Sequence, residues 1–98
     1  MQDNFDWENN TIQMIKDWMF KEGITFEEAF KSFDRDFDGR ISKADLKWGL
    51  INILEIKSEE ILPTKLDRLF KLIDFYKTNS IQLSDFQRLL TNENPYSS

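Results

Sequence analysis

The sequence predicts an all-α fold of five helices in one small domain, and three observations carry that prediction. Only three Gly and two Pro interrupt the 98 residues, so few strong turn signals divide the chain. Between them apolar residues recur every three or four positions, the period of a helix face rather than of a half-buried strand. The pattern of apolar and acidic residues also repeats with a shift of 40 residues.

The elements follow in order. Residues 5–24 form an N-terminal amphipathic segment, helical from about Trp7 to Lys21, in which Ile12, Met14, Ile15, Trp18 and Met19 share helical spacing and Gly23 marks the end. Thr25 followed by Glu28 is a capping box. It opens a second helix whose Phe26, Ala29, Phe30 and Phe33 make one apolar stripe. An acidic loop, 34–45, leads to a third helix carrying Leu46, Trp48, Leu50, Ile51, Ile53 and Leu54. A connector spans 56–63. Pro63, tolerated in a first helical turn, opens a fourth helix with Leu66, Leu69, Phe70 and Ile73 on one face. A second loop, 74–85, precedes a short last helix bearing Phe86, Leu89 and Leu90, and 92–98 reads as a flexible polar tail.

Superposing the halves places Asp34 on Asp74, Ile41 on Ile81 and Asp45 on Asp85, while the stripe Phe26, Ala29, Phe30, Phe33 falls on Leu66, Leu69, Phe70, Ile73. Two copies of helix–loop–helix are encoded. Two are too few for a solenoid, so a closed pair is expected, with Phe26, Phe30, Phe33, Leu50, Leu66, Phe70, Ile73, Phe86 and Leu90 as its core.

The first loop reads Asp34-Arg35-Asp36-Phe37-Asp38-Gly39-Arg40-Ile41-Ser42-Lys43-Ala44-Asp45. It matches D-x-[DN]-x-[DN]-G-x5-E except at the last position. On these residues the chain resembles the EF-hand superfamily, over about residues 25–91, and is similar to its paired calmodulin- and centrin-like members. The resemblance implies paired EF-hands, 25–55 and 64–91, with the N-terminal helix as an addition. It also implies a metal site with Asp34, Asp36 and Asp38 as ligands, Arg40 through its backbone carbonyl, Ser42 through water, and Asp45. Gly39 falls where the loop must turn sharply with positive φ.

Asp45 stands where a longer Glu is usual, and it reaches an ion with one oxygen more readily than with two. Ca2+ is the expected cofactor, with Mg2+ as a competitor and affinity in the sensor range or weaker. Arg35, Arg40 and Lys43 are expected to offset three of the loop's four carboxylates. The second loop, Asp74 to Asp85, keeps the frame and loses the ligands: Tyr76, Thr78 and Asn79 replace two acids and the glycine. A silent, structural role is expected of it.

Composition excludes competing chemistries. No Cys and no His are present, which removes disulfides, thiol nucleophiles, Ser-His-Asp triads and the common zinc sites. With 13 Lys+Arg against 18 Asp+Glu and a net charge of −5, a nucleic-acid surface is not expected. No apolar run reaches the roughly 18 residues of a membrane span, and Met1 to Asp6 lacks a secretory signal's pattern.

The reading is a non-enzymatic, metal-responsive protein-interaction module, cytoplasmic and cytoskeletal or signalling in setting, taken from a longer protein. Its expected partner is a protein or amphipathic helix. The competing reading is a calcium-independent scaffold that dimerises through the N-terminal helix. The face Met14, Ile15, Trp18 and Met19 of that helix is the candidate partner contact; packing in cis, occupying a groove as a built-in ligand, and continuing a longer helix all remain open. A membrane role is not expected, because Lys16 and Lys21 are balanced by Asp6, Glu8, Asp17 and Glu22.

Overall fold

A computed structural model describes residues 6–91, with side chains through residue 89. The tail at 92–98 and the Leu90 side chain therefore lie outside the described residues. Among the described residues there are five helices: α1 (Asp6–Glu22), α2 (Phe26–Phe33), α3 (Lys43–Asn52), α4 (Pro63–Ile73) and α5 (Leu83–Thr91), with a 3-10 turn at Ser58–Glu60 in the connector.

Local chemistry sets the boundaries. Gly23, at φ +66°, ends α1. Its N–H donates to the Phe20 carbonyl, and that of Ile24 donates to Met19, the paired bonds of a Schellman motif that satisfy the last carbonyls of the helix. The Thr25 hydroxyl accepts from Glu28 N at 3.1 Å, and the Glu28 carboxylate accepts from Thr25 N at 2.9 Å. A second capping box, Ser42 with Asp45, opens α3. The sequence alone does not single it out, because Ser42 and Asp45 also fit the pattern of metal ligands.

The two helix–loop–helix units join through their loops and their aromatic stripes. Ile41 and Ile81 form an antiparallel bridge, each N–H donating to the other's carbonyl at 2.8 and 2.9 Å. Phe86 packs against Phe30 and Phe33, with ring centroids 5.8 and 6.0 Å apart. Ile41, Leu46, Leu50, Leu69 and Ile81 are fully buried around them. Gly49 lies directly beneath the Phe33 ring, and a Cβ there would collide with it. The core thus requires glycine inside a helix, where it is otherwise unfavourable. Phe26, expected in the core, is only partly buried at its edge.

α1 packs in cis, against α4 and the aromatic core. Ile15 and Met19 are buried, and Trp18 meets Phe33 edge-on at 6.0 Å. Of the four residues considered for a partner, Ile15 and Met19 are therefore core, Trp18 is half-buried, and Met14 is exposed. The physical reason is that α4 and the Phe33 ring of α2 leave apolar surface uncovered by the paired hands, and the amphipathic helix next to them in the chain covers it. The same face of α1 buries Thr11 and Glu8. Glu8 lies 4.0 Å from the Arg68 guanidinium of α4, and its Oε2 has no hydrogen-bond partner.

Candidate metal site

Loop 34–45 is positioned by the end of α2, by the Ile41 bridge, and by the first turn of α3. Its two terminal carboxylates are buried, Asp34 with 3% and Asp45 with 4% of its surface exposed. Asp36, Asp38, Arg40 and Ser42 between them are exposed. Asp34 turns into the loop: one oxygen accepts the Gly39 N–H at 2.8 Å, the other that of Asp38 at 3.4 Å. Gly39 adopts φ +84°, a conformation that glycine reaches without penalty. Phe37, two residues earlier, holds φ +56° as an exposed aromatic.

The electrostatics are those of a cradle short of positive charge. Burial holds the Asp34 carboxyl above its usual value, against the pull of the Gly39 N–H, and the neighbouring Asp38 carboxylate adds to the rise. Asp38 is held low, chiefly because its carboxylate accepts the Arg40 N–H at 3.0 Å. Asp45 accepts the Ser42 N–H and caps α3.

Among the described residues no three carboxylates converge closely enough to enclose an ion as they stand. The donor set nevertheless fits a hard cation. It consists of oxygen alone, its two terminal carboxylates are desolvated, and a carboxylate that accepts one N–H keeps lone pairs for an ion.

The cations of the loop are arranged differently from the sequence expectation. Arg35 lies over the Trp48 ring at 5.0 Å, and Lys43 binds Asp67 of α4 at 2.7 Å. Lys43 is thus shared with a carboxylate outside the loop, while Arg35 keeps its charge over the ring and Arg40 lowers Asp38 from within the loop. Composition counts charges but does not say which partner holds each one.

Loop 74–85 copies the frame. Asp74 accepts the N–H groups of Thr78 and Asn79 at 3.0 and 2.9 Å. Lys77 and Asn79 take φ +57° and +68°, as Phe37 and Gly39 do in the first loop. Tyr76 is exposed, and the Thr78 hydroxyl donates to the Ser80 carbonyl.

Two helix–loop–helix units bridged through acidic, oxygen-bearing loops define a calcium-binding class of domain. This chain belongs to the EF-hand family: the family model for an EF-hand domain pair matches residues 25–91. Centrin-A of Dictyostelium discoideum is 32% identical to it over 84 residues, which cover 84% of this chain and 53% of that protein. The chain thus spans about half the length of the curated relative it matches. EF-hand and centrin-like proteins are typically non-enzymatic and generally bind target proteins. No helix among the described residues is long and apolar enough to cross a membrane.

Proposed function

We propose that this domain is a non-enzymatic, metal-responsive protein-interaction module with one Ca2+/Mg2+ site of modest affinity in loop 34–45 and a silent second loop. The observation that carries it is the pair of buried carboxylates, Asp34 and Asp45, at the two ends of a loop that turns at Gly39. Asp36, Asp38, the Arg40 carbonyl and Ser42 through water complete the ligand set. A cation there relieves the desolvation that holds Asp34 high.

The partner proposed is an amphipathic helix of another protein, in the cytoplasmic or cytoskeletal setting that the centrin relative suggests. α1 takes part as a fifth helix packed on the pair. Its buried residues Ile15 and Met19 are supports rather than contacts, which leaves exposed Met14 and half-buried Trp18 at the rim.

Thermal melts and tryptophan fluorescence with Ca2+, with Mg2+ and with chelator test the metal reading. Binding to the native state raises stability by RT ln(1 + [L]/Kd). Asp34→Ala is expected to abolish the shift, and Asp74→Ala to leave it nearly intact. No shift at millimolar Ca2+ overturns the proposal and leaves the second reading, a calcium-independent scaffold. That reading is favoured by one observation: Asp34 and Asp45 also serve the loop's own backbone, accepting the Gly39 and Ser42 N–H groups.

A further inference from the structure

Each hand carries a cation over an aromatic ring, at the same two places but with the partners exchanged. In the first, Arg35 at loop position 2 covers Trp48 of α3 at 5.0 Å. In the second, Phe75 at loop position 2 is covered by Arg88 of α5 at 3.6 Å. The 40-residue shift relates Arg35 to Phe75 and Trp48 to Arg88. Each pair spans its hand, from the first turn of the loop to the exiting helix one turn beyond the position-12 carboxylate. Conserving the contact while swapping its chemistry points to the contact as the useful feature.

Among the described residues, the second hand adds a further tie at the same place. Asp85 at position 12 reaches across the loop. Its Oδ1 accepts the Tyr76 N–H at 3.4 Å, while Oδ2 accepts that of Gln82 at 3.0 Å. Among the described hydrogen bonds, Asp45 has the counterpart of the second and not of the first. Tyr76 also meets Phe75 edge-on at 5.0 Å, which backs the ring that Arg88 covers. Both loops share their left-handed positions, so the second loop holds the fold of the first with donors that its own chain supplies.

We propose that the second hand is closed by its own side chains: Arg88 on Phe75 and the Asp85 carboxylate spanning the loop hold α5 in the role an ion would play. The hand is then fixed in one arrangement whatever the metal concentration, and ion-linked movement is confined to the first hand, where Trp48 rides on α3. The confinement rests on the proposed function; the closure does not.

Amide hydrogen exchange followed by NMR tests it in the full chain. In chelator, the N–H groups of Tyr76, Thr78, Asn79 and Gln82 are expected to be protected already, and Ca2+ is expected to leave them unchanged. Arg88→Met and Phe75→Leu should each speed exchange at Tyr76 and Gln82 by roughly two- to fivefold, the worth of one exposed cation–π contact. Phe75→Arg combined with Arg88→Trp rebuilds the first hand's pair and should restore protection.

Several results overturn the closure: exchange in chelator as fast as in an unstructured peptide, no effect of either single variant, no recovery in the exchanged pair, or slowing of these amides by Ca2+ of about tenfold or more. If instead the first loop and a Trp48-only variant (Trp7→Phe with Trp18→Phe) show no response to Ca2+ while the second loop behaves as expected, the metal reading fails and the closure stands.

Discussion

Asp45 stands at loop position 12 and also accepts the Ser42 N–H at the start of α3, so one short carboxylate takes part in a helix cap and is, in the proposed function, a ligand as well. Asp45→Glu keeps both roles, because Glu is the usual third residue of a capping box, and its extra methylene lets two oxygens reach the ion. The expected outcome in calorimetric titration is a Ca2+ Kd lower by on the order of tenfold, about 1.4 kcal/mol, with weaker competition from Mg2+. Asp67 shows a different residue-scale effect. Hydrogen bonds from Lys43 and Lys71 hold its carboxyl below the usual 3.8. Because the folded value is lower than the unfolded one, the stability it contributes is fully present above pH 3.8 and is lost as pH falls through the lowered folded value. Asp67→Asn should therefore differ from wild type by a constant amount at neutral pH, a difference that shrinks under acid; urea melts across that window check it.

At the scale of elements, α3 is placed by a close approach rather than by its own propensity. Gly49 lets the Phe33 ring of α2 lie against the α3 backbone, which in turn sets where Trp48 and Leu50 fall. Alanine there would gain about 1 kcal/mol of helix propensity and lose about 2–3 kcal/mol to overpacking. Gly49→Ala is therefore expected to lower stability by about 1–2 kcal/mol, read as a lower thermal midpoint, although the same change on an exposed helix would raise it. Helix identity was legible beforehand because it follows from local period and caps, as Thr25, Gly23 and Pro63 show. The need for Gly49 was not, since nothing in its neighbours reveals a ring from another helix.

Across the whole molecule, α1 supplies buried Ile15 and Met19 to a core built mainly by the paired hands. Burying two such side chains is worth about 3–6 kcal/mol, a large part of the stability of an ordinary small domain. Deleting residues 1–22 should therefore broaden or abolish the cooperative urea transition, whereas a helix held only by surface contacts would leave it sharp. What the sequence by itself determined is what repeats locally: five helices, the 40-residue duplication, the register of Asp34 to Asp45, and the membership in the EF-hand family that register announced. Those features depend on spacing along the chain, which a sequence displays directly. What only the tertiary structure decided is how side chains far apart in sequence are shared. Arg35 is spent on Trp48, Lys43 on Asp67, and the apolar face of α1 on Phe33, because each charge or apolar surface takes the nearest complementary partner in space. That geometry exists only once the helices have packed.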